Sequence, residues 1–175
     1  MDTFEVLEHG PLVRPSSAEA ALDAAFHGSY RRLVVQLYGV VGDLGEAEDL
    51  VQEAFVRAAA SGRRFARLDN PEAWLRTVAL NLHRNRWRKL RNFGRVLPRL
   101  VVTPDPPALE EHVVVVEALR RLREPQREVV ALHHLADLSV AEIAALLGVA
   151  EGTVKSRLSR GRETLAGLLG EEGPR

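Results

Sequence analysis

Apolar residues recur at three- and four-residue spacing along most of this chain, while the strict alternation of a half-buried strand is weak throughout, which predicts an all-α protein. Leu22, Phe26, Tyr30, Leu33 and Leu37 stripe a first helix, opened by Ser16 with Glu19 and expected to end before the Gly39–Gly42 turn. Asp43 with Glu46 starts a second, whose inner side is Ala47, Leu50, Val51, Ala54 and Phe55, up to a break at Ser61-Gly62. Asn70-Pro71, an N-cap followed by proline in the first turn, begins a third that carries Trp74, Leu75, Val78 and Leu82 toward Arg91.

The pattern then fails. Gly94, Pro98, Pro104, Pro106 and Pro107 break any helix between residues 92 and 107, so this stretch reads as a flexible linker. Periodicity resumes near Ala108 with Val113, Val116, Leu119 and Leu122, and Pro125 starts a helix bearing Val129, Val130 and Leu132. The run Val113–Val116 is strand-like in isolation, but its flanks are helical. The expected architecture is two small helical domains: a loose leader over 1–15, an N-terminal domain over 16–91, the linker over 92–107, a C-terminal domain over 108–170 and a short tail over 171–175.

The sharpest local signal lies between Ser139 and Arg162. Ser139 and Glu142 form a capping box, Ile143, Leu146 and Leu147 give an apolar face, and Gly148 stands where a left-handed residue ends the helix. Another helix begins at Ala150 or Glu151, with Val154, Leu158, Gly161 and Leu165 turned inward. This is a helix-turn-helix. At 100° per residue, Ser156 and Arg160 lie opposite the inward stripe with Thr153 and Ser159 beside them, while Lys155, Arg157 and Arg162 flank, placed for phosphates on either side of a DNA major groove.

Charge sharpens the picture because it is segregated. Over the 175 residues 24 cations balance 24 acids, which argues against a general polyanion binder. Yet the stretch from Arg76 to Pro104 holds Arg76, Arg84, Arg86, Arg88, Lys89, Arg91, Arg95 and Arg99 and no acid, whereas Gly39 to Val56 holds Asp43, Glu46, Glu48, Asp49 and Glu53 and no base. Two surfaces of opposite sign imply two different partners. The basic segment points to nucleic acid. Within it Trp87 has two readings that stand side by side: stacking on an unpaired base, worth about 1–3 kcal/mol, or packing against the first helix.

Other chemistry lacks its parts. There is no cysteine, no glycine-rich phosphate loop and no nucleophile elbow, so no catalytic residue is assigned. The acids of 43–49 do not follow a calcium loop, and adjacent His133 and His134 point differently on a helix, so no metal or other cofactor is expected. The first fifteen residues lack a signal peptide's basic start and apolar core, and no apolar run approaches membrane-spanning length, so the expectation is a soluble cytoplasmic protein without membrane insertion.

Three segments together, AEDLVQEAFVRA at 47–58, NPEAWLRTVALNLHRNRWRKLR at 70–91 and LREPQREVVALHHLADLSVAEIAALLGVAEGTVKSRLSRGRETL at 122–165, resemble bacterial RNA polymerase sigma factors of the extracytoplasmic-function (ECF) group. The resemblance spans nearly everything from Phe26 to Leu169. It implies a non-catalytic specificity subunit of RNA polymerase in which Glu48, Asp49, Gln52 and Glu53 dock on the clamp coiled coil of the core enzyme. It further implies that the minus-10 promoter element is melted and read by Arg63, Arg64, Asn70, Asn81, Arg84, Arg86, Trp87, Arg88 and Arg91, with a flipped base held in a pocket. The minus-35 element falls to Lys155, Ser156, Ser159 and Arg160, alongside Thr153, Arg157 and Arg162. The linker would thread toward the polymerase cleft, and an anti-sigma factor would mask the polymerase-binding faces. The chain departs from the family in two places: Ala150 stands where serine or proline often starts the last helix, and the small residues 58–61 follow Arg57 where a bulky aromatic is common. The rival classes are a stand-alone helix-turn-helix regulator with dimerising N-terminal helices, and a protein adaptor with no DNA role.

Overall fold

The computed structural model of the chain describes residues 16–92 and 110–171, and all regular structure there is helical. A first group comprises α1 (Ser17–Val41), α2 (Leu44–Ser61), the single turn α3 (Arg63–Ala66) and α4 (Pro71–Asn92). A second comprises α5 (Glu110–Arg120), α6 (Glu124–His134), α7 (Val140–Leu147) and α8 (Glu151–Glu171). The expected leader, nearly all of the linker and the tail lie outside the described residues; Asn92 and Glu171, expected in linker and tail, close α4 and α8.

Local chemistry sets most boundaries. The Ser16 hydroxyl accepts from the Glu19 N–H at 3.2 Å while the Glu19 carboxylate accepts from the Ser16 N–H at 2.6 Å. Asp43 Oδ1 accepts from the Glu46 N–H at 2.7 Å, and Asn70 Oδ1 from the Ala73 N–H at 2.9 Å, each satisfying one orphan donor of a first turn. The end of α1 corrects the sequence expectation. The helix runs through Gly39 to Val41 and stops at Gly42, which adopts φ 79°, ψ 8° and donates to the Tyr38 carbonyl. Gly39 is a crossing point: a Cβ there would lie 3.3 Å from that of Ala131 and run into the Leu135 side chain. A glycine that lets two helices approach looks, in sequence, like one that ends a helix.

The two halves of α1 live in different surroundings. Every residue from Leu33 to Val40 is buried, polar Gln36 included. Such all-round burial requires neighbours on both sides: α2 and α4 cover one face, α5 and α6 the other. Buried apolar residues therefore run continuously through both groups, from Leu50 and Leu75 to Val116, Val129 and Ile143. The two helical regions foreseen from sequence are present, but they pack against each other through the C-terminal half of α1.

In the second group α7 and α8 form the helix-turn-helix, with α6 packed against both. The second capping box is complete, with Ser139 Oγ accepting from the Glu142 N–H at 3.2 Å and the Glu142 carboxylate accepting from the Ser139 N–H at 2.8 Å. Gly148 (φ 65°, ψ 36°) ends α7, and the Val149 N–H returns to the Ala144 carbonyl at 3.1 Å, a Schellman closure that fixes the turn. Val154, Leu158 and Gly161 face inward as expected, Gly161 lying close against Val130.

Candidate nucleic-acid and partner interfaces

Three faces carry the sequence-predicted residues. On α8, Lys155, Ser156, Ser159, Arg160 and Arg162 are exposed, while Thr153 and Arg157 are half-buried at the edges of the same surface. Lys155 stands 3.9 Å from Glu151, a pair too exposed to hold it in place. Ser159 Oγ donates to Glu163 at 2.9 Å. Arg162 Nε lies 3.4 Å from His134 Nε2, and the pKa of this imidazole is lowered by burial, by His133 and by Arg162 itself, so His134 is neutral at pH 7. The outcome is an α8 flank with net positive charge, held by a fixed turn and offered to solvent.

The second face lies on α3 and α4. Arg63, Arg64, Asn70, Asn81, Arg86 and Arg88 are exposed, Trp87 is half-buried, and Arg91 sits on the last turn of α4 with its side chain outside the described residues. The stretch between Gly62 and Asn70 is anchored by buried Phe65, whose ring meets Trp74 edge-on at 5.5 Å. Asn70 uses its Oδ1 to cap α4, and Arg88 donates to Asn85 at 2.7 Å.

Two cations of the basic segment are withdrawn from this face. Arg76 is 8% exposed, donating to Gln36 Oε1 at 2.8 Å and to Glu72 at 3.4 Å. Arg84, expected on the outer side of α4, is half-buried, with Nε and Nη2 on Glu128 Oε1 at 3.2 and 3.1 Å and Nη1 on the Leu146 carbonyl at 3.3 Å. Counting charge along the chain thus overstates the positive surface of α4. A helical wheel cannot anticipate this, because the partners of Arg84 come from α6 and α7.

The third face belongs to α2. Asp49 and Gln52 are exposed, Glu48 and Glu53 half-buried. Glu53 accepts from Arg57 Nε at 3.0 Å. Gln52 reaches the Tyr30 hydroxyl at 3.5 Å, which joins this face to an aromatic cluster of Phe26, Tyr30 and Phe55 with ring centroids 4.7 to 6.0 Å apart. Sequence periodicity put Phe26 on the buried stripe, yet it is 44% exposed, and Val56 is 62% exposed. The acidic face therefore has an apolar margin that the helical period hid. Among the described residues no three of His, Cys, Asp or Glu gather as metal ligands, and no helix is long and apolar enough to cross a membrane.

Comparison with known proteins identifies the family of the chain. The family description of sigma-70 region 2 matches residues 26–93, which contain α2, α3 and α4, and that of sigma-70 region 4 matches residues 112–165, which contain the helix-turn-helix. The chain is 36% identical over 137 residues to the ECF RNA polymerase sigma factor EcfG of Rhodopseudomonas palustris, covering 75% of this chain and 76% of that one. It is 31% identical over 154 residues to the ECF RNA polymerase sigma factor SigW of Bacillus subtilis, covering 78% and 82%. Among solved structures it is similar to the sigma factor RpoE of Bartonella quintana in complex with the anti-sigma factor NepR, with a TM-score of 0.65 and 28% identity over 86% of this chain and 97% of the other. CnrH in complex with the cytosolic domain of CnrY gives 0.55 and 25%, over 90% and 97%. With both sigma regions matched in order, and relatives above 30% identity over at least three quarters of each chain, the chain belongs to the extracytoplasmic-function group of RNA polymerase sigma factors.

Proposed function

We propose that this chain is a non-catalytic specificity subunit that binds core RNA polymerase in the cytoplasm and directs promoter recognition, strand opening and transcription initiation. The observation that carries the reading is the separation of exposed charge by helix: acids on α2, cations on α8 and on the outer part of α4. The α2 face, with Glu48, Asp49, Gln52 and Glu53, docks on the polymerase clamp. Arg63, Arg64, Asn81, Arg86, Trp87 and Arg88 capture the unpaired minus-10 strand, with Asn70, Arg84 and Arg91 at its margins. The α8 face reads the minus-35 element in the major groove. Each DNA face is small, so specificity comes from holding both on one polymerase, where the second contact is effectively intramolecular.

The domain boundaries proposed from sequence fit this division, with 16–91 serving polymerase and minus-10 DNA and 108–170 serving minus-35 DNA. The solved relative RpoE, held in complex with the anti-sigma factor NepR, supports an anti-sigma factor as a partner of this chain.

The experiment is a pair of variants assayed for core binding and for run-off transcription from a promoter library. Lys155→Ala with Arg160→Ala is expected to abolish transcription and leave polymerase binding intact; Asp49→Arg is expected to weaken polymerase binding itself. Lost core binding in the first variant, or an unaffected complex in the second, overturns the corresponding assignment. A chain that ignores polymerase and binds palindromic DNA as a dimer overturns the whole reading.

A further inference from the structure

Among the described residues one buried side-chain polar atom lacks a hydrogen-bond partner: Nδ1 of His83. The residue is 4% exposed, on the inner side of α4 with Ala79, Leu80 and Leu82. A polar atom in such surroundings is costly to bury and rare in a packed interior, so its position calls for a reason. A carboxylate oxygen, Oε1 of Glu46 in the first turn of α2, stands 3.5 Å away, and Glu46 is itself largely covered. A good N–H···O hydrogen bond spans roughly 2.7–3.2 Å, so a shift of about half an ångström between α2 and α4 would close this one. A neutral imidazole with its proton on Nδ1 can donate to that carboxylate.

The pair joins the two helices that carry different faces. Glu46 is held at its backbone, where its N–H donates to the Asp43 cap at 2.7 Å, and it lies one turn ahead of exposed Asp49. His83 lies one turn ahead of Trp87, and residues four apart on a helix are neighbours on its surface. Polar contacts hold the start of α4, through the Asn70 cap, Glu72 with Arg32, and Arg76 with Gln36. Further along, Leu80 and Leu82 supply apolar packing, which has no preferred direction. A donor facing a carboxylate does have one, and it resists rolling of α4 about its own axis. At the roughly 5–6 Å radius of a helix with its side chains, a roll of about 10° carries a side-chain end through about 1 Å. That is enough to misplace groups that must meet a strand together.

We propose that His83 is a positioning residue: held against Glu46, it sets the roll of α4 relative to α2, so that Arg86, Trp87 and Arg88 meet the unpaired minus-10 strand once α2 has docked on polymerase. This deepens the proposed function and rests on it. His83 touches neither DNA nor polymerase in this role; it acts through the orientation of its helix.

The test compares three variants of the full chain with the unsubstituted chain in two measurements. One is binding to core polymerase; the other is opening of a promoter taken from a library, read as permanganate reactivity of unpaired thymines in the minus-10 element. His83→Leu keeps the packing and removes the donor, and is expected to bind core polymerase within about twofold of the unsubstituted chain while opening the promoter at least about tenfold less. In His83→Asn the amide nitrogen stands as many bonds from the backbone as Nδ1 does, and opening should return to within about threefold. Glu46→Ala leaves His83 in the interior and should reproduce the loss seen with His83→Leu. Opening that falls only as far as core binding falls, an asparagine variant no better than the leucine one, or a Glu46→Ala chain that opens the promoter normally, each overturns the positioning role, and the last does so even if His83→Leu fails to fold. An unsubstituted chain that opens no promoter overturns the functional reading instead.

Discussion

Helices α4 and α8 both carry dense runs of cations, and the fold treats them in opposite ways. α8 packs against α6 and α7 through one apolar stripe, so Lys155, Arg160 and Arg162 stay on the surface. α4 lies against α1 and α2 and is touched by the second group, so Arg76 is drawn into the interior and Arg84 into the contact between groups. Identical residue types are drawn into the packing of one helix and left on the surface of the other. The sharpest way to test the contrast is to remove one arginine from each. Arg76→Ala leaves the buried Gln36 amide and the Glu72 carboxylate short of a donor and should destabilise the chain by about 3 kcal/mol. Arg160→Ala should change stability by less than about 0.5 kcal/mol. Urea unfolding of both variants at neutral pH measures the difference, and equal midpoints would erase the distinction between the two helices.

The same contrast shows what the sequence made legible. The helix-turn-helix depends on signals within a few residues of one another, Ser139 with Glu142 and then Gly148, and it is found where the pattern puts it. The caps at Ser16, Asp43 and Asn70 are equally local. What escaped was set by distant partners. Arg84 is 44 residues from Glu128 and 62 from Leu146, beyond the reach of any helical wheel. Gly39 looked like a terminator because its use depends on Ala131 and Leu135. One signal did exist in the chain: LVVQLYGVV, from Leu33 to Val41, is apolar nearly all round, the composition of a helix covered on two sides. Phe26 errs the other way. It sits on the apolar stripe and touches Phe55, but no described element covers its outer side.

The helix starts of the second group offer a smaller test. α7 opens with a complete capping box, whereas α8 opens at Glu151 after Ala150, whose methyl accepts no hydrogen bond; only its carbonyl takes part, accepting from the Thr153 and Val154 N–H groups at 2.9 and 3.2 Å. Ala150→Ser supplies the missing acceptor and should stabilise the second group by about 1 kcal/mol, seen as a higher Tm. An unchanged or lower Tm would mean that α8 does not begin where the backbone places it. This substitution leaves the exposed side chains of α8 in place, so transcription should be affected far less than by loss of Lys155 and Arg160.

The smallest effect expected is a pH dependence written into the second group. His134 has a folded pKa below its ordinary 6.5, through burial first and then the positive charge of His133 and Arg162. Glu142 has one below its ordinary 4.5, through the hydrogen bonds of the Ser139 hydroxyl and N–H. In both cases the unfolded chain takes up the proton at higher pH than the folded one, so stability falls as pH falls. For His134 the loss begins as pH drops through 6.5 and continues until the folded imidazole is protonated; for Glu142 it begins below 4.5 as the capping box loses its carboxylate. Thermal unfolding should therefore shift to lower temperature between about pH 7.5 and about pH 5.5, and His134→Gln should flatten that limb. Glu142→Gln should leave the upper limb alone and weaken only the acid limb. If the upper limb persists in the His134 variant, the proton uptake belongs elsewhere in the chain, and the crowding of His134 by His133 and Arg162 is not what makes the α8 flank sensitive to mild acid.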